Sequence, residues 1–306
     1  MNAFKTTYVI VALAANLVIA QIVFAQGFWK KVADDKIKEG FEAYRQGQIW
    51  KAIWNWEQAL QILEKKNLKE QSGVLFNDLG LAYAKLSEHS VAIYYYKESI
   101  KRKREIGDSI GVAISLRNIG IAYQHLAEYS LARESFQRAL RIVKEKGNKE
   151  IEAGVFQNVG FIHELLNDFF LSLHYYNRAL EVAKEIEDKE SEGMILNSIG
   201  VVYRTLGDSS KALKLFHDAL AIAREKENKE RVGGILTNVG SIYVKEGEYD
   251  KALRCFHQAF NIALGLPDRE SFIRPLAHIG EVYFQQGRLQ EALKKYKEMG
   301  ATMIYF

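Results

Sequence analysis

The sequence has few residues that interrupt helices or crosslink chains. Among 306 residues there are two prolines, Pro267 and Pro275, and one cysteine, Cys255. So few prolines favour long helices, because proline lacks a backbone donor and clashes with the preceding turn. One cysteine excludes an internal disulfide framework and a zinc site built from cysteines. We expect Cys255, which precedes an aromatic residue, to be a small packed side chain rather than a reactive thiol.

The chain also lacks a strong excess of charge. Its 42 lysines and arginines nearly balance 38 acidic residues, and the two signs alternate along the sequence. No continuous basic stripe for nucleic acid is therefore predicted. The densest basic run extends from Lys101 to Arg104. We interpret it as the solvent-exposed last turn of a helix, where cations face the negative end of the helix dipole.

Sequence patterns typical of catalytic sites are missing. There is no glycine-rich phosphate loop and no Gly-x-Ser-x-Gly motif. His163 and Glu164 begin like the zinc-binding helix of a metalloprotease, but the second histidine of that motif is absent. His217 and His257 stand 40 positions apart, and two ligands without a third do not make a metal site. We predict a non-enzymatic protein without a metal or another cofactor.

The first 25 residues have the pattern of an export signal. Lys5 precedes an apolar run from Tyr8 to Ala20, and small residues at Val23 and Ala25 suit a signal-peptidase site. The alternative is an uncleaved anchor, because the 18 residues from Tyr8 to Ala25 approach the length of a membrane span. We predict an exported protein, periplasmic or extracellular, with a single-pass anchored protein as the alternative.

A period of 40 residues organises the remaining sequence. A glycine recurs seven times, usually with a tyrosine three residues later, a small residue twelve and nineteen residues later, and a large aromatic residue sixteen residues later. The glycines are Gly40, Gly80, Gly120, Gly160, Gly200, Gly240 and Gly280, and the aromatic residues are Trp56, Tyr96, Phe136, Tyr176, Phe216, Phe256 and Tyr296. A fixed period of this size predicts a solenoid of stacked supersecondary units.

Each repeat has the periodicity of two helices. The run from Leu196 to Tyr203 carries apolar residues, glycine and tyrosine on one helical face, and the run from Ala212 to Ile222 does the same for alanine and phenylalanine. Pairs such as Gly147-Asn148 supply a helix stop followed by an N-cap. We expect glycine and alanine to let helices approach closely, and the aromatic residue to fill the space between neighbouring repeats.

These columns resemble the tetratricopeptide repeat, whose pattern is Leu-Gly-x-x-Tyr, then Ala-x-x-x-Phe, then Ala. The resemblance covers residues 34–298, although the repeat is longer than the usual length of about 34 residues. The 40-residue repeat is similar to the variant found in kinesin light chain, in spindle-orientation adaptors and in bacterial tetratricopeptide arrays. The resemblance implies an all-α, right-handed superhelical solenoid of about seven helix-turn-helix repeats. A HEAT or armadillo solenoid has a similar period but does not need this Gly-Tyr-Ala-Phe register.

We divide the chain into three parts. Residues 1–25 are the signal peptide or anchor, residues 26–298 form the seven-repeat array, and residues 299–306 form an apolar C-terminal tail. We hypothesise that this tail serves self-association or docking, or that the reading frame is shortened. Three tryptophans of the first repeat, Trp29, Trp50 and Trp54, either cover the open end of the solenoid or form a partner-binding patch.

The resemblance also implies where a partner binds. In the family, the first helices of successive repeats line the concave surface. Asparagine recurs there just before the glycine, and its amide offers both a donor and an acceptor to an extended peptide backbone. The alternative is that these asparagines bridge neighbouring repeats. The predicted partner-binding residues are Asn77, Leu81, Arg117, Asn118, Ile121, Gln124, Gln157, Asn158, Phe161, Asn197, Val201, Arg204 and Asn238.

Most residues directly after the glycine are apolar, as Leu81 and Phe161 illustrate. They suit a ligand with hydrophobic side chains at intervals, unless they pack against the adjacent helix. The resemblance thus implies an interaction scaffold for a protein or extended peptide, and the alternative is a peptide sensor that changes its superhelical shape on binding. The membrane is a partner only through residues 1–25, and the oligomeric state is left open.

Overall fold

The structure is a computed structural model that describes residues 27–66, 68–266 and 272–304. These residues form fourteen helices and no strand, which confirms the predicted all-α class. The bounds are α1, residues 27–45; α2, Ile49–Lys65; α3, Lys69–Lys85; α4, His89–Glu105; α5, Ser109–His125; α6, Tyr129–Lys146; α7, Lys149–Leu165; α8, Phe169–Glu185; α9, Lys189–Leu206; α10, Ser209–Glu225; α11, Lys229–Lys245; α12, Tyr249–Leu264; α13, Ile273–Gln285; and α14, Leu289–Ile304.

The helices belong to two compact units, Met1–Asn148 and Lys149–Phe306. The first contains the pairs α1–α2, α3–α4 and α5–α6, and the second contains α7–α8, α9–α10, α11–α12 and α13–α14. Within each unit, the members of a pair pack together, and the second helix of a pair also packs against the first helix of the next. Seven helix pairs of the predicted kind are therefore present.

The two ends of the chain bear on earlier predictions. The predicted signal, residues 1–25, lies outside the described residues. Among the helices that are described, none combines the length and apolar character needed to cross a membrane. Helix α14 continues to Ile304 and so includes the first residues of the predicted tail. The proposed domain boundaries stay predictions.

Helix starts follow the capping residues seen in the sequence. The carboxylates of Asp108, Asp188 and Asp208 accept hydrogen bonds from backbone N–H groups three residues later, at 2.8, 3.0 and 3.1 Å. Each bond satisfies a donor that the first helical turn leaves without an intrahelical partner. Helix α9 is followed by Gly207, whose φ of 84° places it in the left-handed region that closes many helices.

The glycine and aromatic columns meet in the core of each pair. A Cβ atom at Gly240 would lie 2.6 Å from the ring of Phe256, and one at Gly200 would lie 2.7 Å from the ring of Phe216. Both rings are fully buried. In these two pairs glycine permits the close approach of the two helices, and the aromatic ring occupies the space that the missing side chain leaves within the pair.

The tryptophans of the first repeat differ in their surroundings. Trp56 is buried, and its Nε1 donates to the backbone oxygen of Ile37 over 3.2 Å. Trp29, Trp50 and Trp54 are 38%, 63% and 57% exposed, and their role as a cover over the open end of the solenoid stays a prediction. A partner-binding role for this patch stays a prediction. Cys255 is half-buried and packs against the hydrophobic core of the second unit, and burial raises the pKa of its thiol.

Candidate functional site

The predicted partner-binding residues lie on first helices of both units. In the first unit they belong to α3 and α5, and in the second unit to α7, α9 and α11. Most are half-buried, and Leu81 and Phe161 are exposed.

In the first unit, the asparagines connect neighbouring repeats. Asn118 Nδ2 on α5 donates to Asn77 Oδ1 on α3 over 3.1 Å. The hydroxyl of Ser115 donates to the same oxygen over 3.2 Å. Asn77 is only 8% exposed, so its carbonyl is committed to the helix contact. For this pair, the structure shows the bridging role that was the alternative to ligand binding.

The second unit repeats this arrangement. Asn238 Nδ2 on α11 donates to Asn197 Oδ1 on α9 over 3.0 Å. Each of these amides still has a second polar atom that the bridge does not use. Bridging therefore fixes the orientation of the side chains and leaves part of their hydrogen-bonding capacity, so ligand binding by these residues stays a prediction.

A cleft of about 510 Å³ opens beside this asparagine pair in the second unit. Three predicted residues, Gln157, Asn197 and Asn238, line it. A Cβ added at Gly234 would meet no atom within 4 Å, which shows how open the cleft is at α11. Its other side chains, which sequence reasoning did not single out, include Met194, Arg231 and Arg274. Of these, Arg231 is held by an ion pair with Glu190 at 2.9 Å.

Other predicted residues of this unit lie outside the cleft: Asn158, Phe161, Val201 and Arg204. Near them, Tyr176 donates its hydroxyl to Glu164 over 2.8 Å. Burial raises the pKa of Glu164, while Tyr176 and the charge of Arg204 act to lower it. The acidic and basic side chains of two neighbouring repeats thus interact on the same face.

Three predicted residues carry buried nitrogen atoms without a hydrogen-bond partner in the described part of the chain: Arg117 Nε, Asn158 Nδ2 and Arg204 Nε. Buried donors are normally paired, so these atoms retain capacity for a ligand or a water molecule. Burial lowers the pKa of the Arg117 guanidinium. The remaining predicted residues, Ile121 and Gln124, are half-buried on α5.

The expectation for the basic run is wrong at Lys103. This residue is 5% exposed, and its Nζ donates to the Gly111 carbonyl and to Ser115 Oγ, both over 3.3 Å. Burial lowers the pKa of Lys103, although Asp108 and Asp78 counteract this. The composition of the run concealed its buried position. The equivalent positions in other repeats hold apolar residues, and this pattern could have identified Lys103 as buried. Those residues are Leu63, Val143, Ala183, Ala223 and Ala263.

Sequence reasoning also missed Asp78. Burial raises the pKa of this carboxyl from 3.8 to about 6, while the charge of Lys103 and a hydrogen bond with the Asn77 side chain act to lower it. Its Oδ2 atom is buried and has no hydrogen-bond partner within the described residues. Asp78 stands two residues before a repeat glycine, and the other six repeats have asparagine, serine, lysine or histidine at this position. This exception in the sequence could have identified Asp78.

Comparison with known proteins agrees with this architecture. The model of the Tetratricopeptide repeat family matches residues 71–145, 152–225 and 231–298. Because these matches cover more than half of the sequence, the chain belongs to the tetratricopeptide repeat family. No curated protein sequence matches it.

Solved structures show the same fold at low sequence identity. The apo form of RapI is 17% identical, with a TM-score of 0.69 over 90% of this chain and 99% of RapI. The apo quorum sensor NprR from B. thuringiensis is 17% identical, with a TM-score of 0.66 over 95% of this chain and 84% of NprR. The Rap conjugation gene regulator of plasmid pLS20, solved with the Phr* peptide, is 16% identical, with a TM-score of 0.63 over 87% and 74% of the two chains.

Proposed function

We propose that this chain is a non-enzymatic interaction scaffold that binds an extended peptide segment, free or within a partner protein, through its first helices. The observation that carries this proposal is the cleft beside Asn197 and Asn238. Its amide, guanidinium and thioether side chains can hydrogen-bond to a peptide backbone and contact apolar side chains. The partner is a protein or peptide rather than a nucleic acid.

Fixed amides favour such binding for an energetic reason. Asn238 is oriented by its bond to Asn197, and Arg231 by its ion pair with Glu190. A ligand that meets oriented groups loses less side-chain entropy than one that must order them. The solved Rap regulator holds a peptide, which supports peptide binding by a fold of this kind.

The test begins with selection of binding peptides from a displayed library against the full chain. Affinity is then measured for Asn238→Ala and, as a control, for Asn177→Ala, an exposed asparagine on α8. We expect Asn238→Ala to weaken binding about tenfold, the effect of losing one or two hydrogen bonds, with Tm changed by only a few degrees. The proposal fails if no peptide is selected, or if both variants bind like the original chain.

A second candidate function is peptide sensing, in which binding changes the shape of the array. The structural similarity to the quorum sensor NprR favours this candidate. Small-angle scattering with and without the selected peptide separates the two. A scaffold keeps its radius of gyration, whereas a sensor changes it.

We also propose that the protein is exported, with a membrane-anchored form as the alternative. The apolar run and the small residues before Gln26 support this. Mass spectrometry of the protein from a secreting host is expected to give Gln26 as the first residue. An intact N-terminus in the membrane fraction would favour the anchor, and an intact N-terminus in the cytosol would contradict both.

A further inference from the structure

A second cleft, entirely within the first unit, separates α1 from α3 and has a volume of about 750 Å³. Ile37 and Phe41 on α1 line one wall. Val74 and Leu75 on α3 line the other, and Ile106, after α4, contributes to the lining. Val74 is 52% exposed, and Phe41 and Ile106 are exposed as well. The cleft therefore presents apolar surface to solvent and can bury apolar groups of a ligand.

Two residues that line this cleft, Gln71 and Asp78, each carry a buried oxygen atom, Oε1 and Oδ2 respectively, that has no hydrogen-bond partner within the described residues. Gln71 is held in place because its Nε2 donates to Asp34 Oδ1 over 3.1 Å. Buried acceptors normally have a donor, and a buried carboxylate oxygen without one is costly. Both atoms thus lack a donor that a ligand can supply.

The charge of the cleft indicates the kind of donor. It contains two carboxylates, Asp34 and Asp78, and one ammonium group, Lys30. Lys103 is close enough to affect the Asp78 carboxyl electrostatically. However, its Nζ donates to Gly111 and Ser115, so it does not complete the hydrogen bonding of Asp78. A cationic donor is the complement of this site.

We propose that this cleft binds an arginine side chain of a peptide whose neighbouring residues are apolar. A guanidinium group offers several N–H donors in one plane together with a positive charge, so it suits a cleft with a carboxylate and a second unpaired acceptor better than a neutral hydroxyl or amide does. The apolar neighbours of the arginine pack on Phe41, Val74 and Ile106. This inference does not rest on the proposed site in the second unit, because none of its residues takes part in that site.

The test uses two fluorescent, acetylated pentapeptides that differ at one position. One has a central arginine between leucines, and its twin has citrulline, which keeps the shape and loses the charge. We expect the full chain to bind the arginine peptide at least tenfold more tightly, because a charge-assisted bond to a buried group is lost in the twin. Equal affinity for the two peptides, or no binding of either, overturns the proposal.

Three variants locate the effect. Asp78→Asn is expected to abolish the preference for arginine with little change of shape. Val74→Lys places a cation in the cleft from an exposed position and is expected to block the arginine peptide without disturbing the core. Glu42→Gln, an exposed carboxylate on α1 outside the cleft, removes the same charge and should leave the preference unchanged. If Asp78→Asn keeps the preference, or Glu42→Gln loses it, the cleft is not the site.

Discussion

Replacing Asp78 by asparagine tests whether this buried carboxyl destabilises the folded chain. Its pKa is raised from 3.8 to about 6, mainly by burial. A carboxyl with a raised pKa prefers to be protonated in the folded state, so folding is opposed once the pH is high enough to ionise it. The stability contributed by neutral Asp78 is fully present below pH 3.8 and declines until about pH 6.

The size of this effect follows from the shift. A rise in the pKa from 3.8 to about 6 lowers the free energy of unfolding by about 3 kcal/mol above neutral pH, where the carboxyl is ionised in both the folded and the unfolded chain. Asparagine has nearly the same shape and never ionises. We expect Asp78→Asn to gain stability relative to the original chain as the pH rises, by about 2 kcal/mol between pH 4.5 and pH 8. Lys103 is already included in the shift, because its charge contributes to the pKa.

The assay is urea denaturation of both chains at several pH values between those limits. The quantity of interest is the difference in unfolding free energy, because titration of other groups cancels in it. Glu42→Gln serves as the control for removing one negative charge from an exposed position in the same unit. A difference for Asp78→Asn that stays constant with pH, or that decreases as the pH rises, would refute the reasoning.

The other predictions concern the packing of the second unit. Gly234→Ala and Gly240→Ala, both on α11, should have opposite effects in thermal denaturation. Gly234→Ala is expected to stabilise the fold by about 0.5–1 kcal/mol, because its Cβ enters open space. Gly240→Ala is expected to destabilise the fold by about 1–3 kcal/mol, because its Cβ meets the Phe256 ring. Equal effects would contradict the assigned packing. Phe216→Ala removes a fully buried ring and should cost about 3–5 kcal/mol in chemical denaturation; a cost below about 1 kcal/mol would show that this column is not core.

The repeat and its core could be predicted from sequence because one period contains both members of each contact. Glycines equivalent to Gly200 and aromatic residues equivalent to Phe216 recur every 40 residues. Because each large ring needs a glycine beside it, the contact leaves a periodic pattern in the sequence. The helix starts could also be predicted from the sequence, because a capping aspartate such as Asp188 accepts a hydrogen bond from a backbone N–H only three residues away. These features depend on local or periodic relations.

The site was less predictable because its chemistry depends on side-chain partners. The asparagine pattern could not decide between bridging and ligand binding, since one amide can do both, and the contact of Asn238 with Asn197 appears only in three dimensions. The sequence is misleading at Lys103, because the basic residues Lys101 and Arg104 are exposed while the helical position of Lys103 faces the core. Asp78 is perturbed by burial and by Lys103 on another helix, which the sequence does not place beside it.

The most direct test of the account is photo-crosslinking of a selected peptide to the full chain. A photoreactive phenylalanine replaces Gly234, which opens into the cleft of the second unit, or Asp218, which is exposed on α10. If the first helices bind the partner, the chain modified at position 234 crosslinks to the peptide and the chain modified at position 218 does not. Crosslinking at position 218 alone would contradict the central claim.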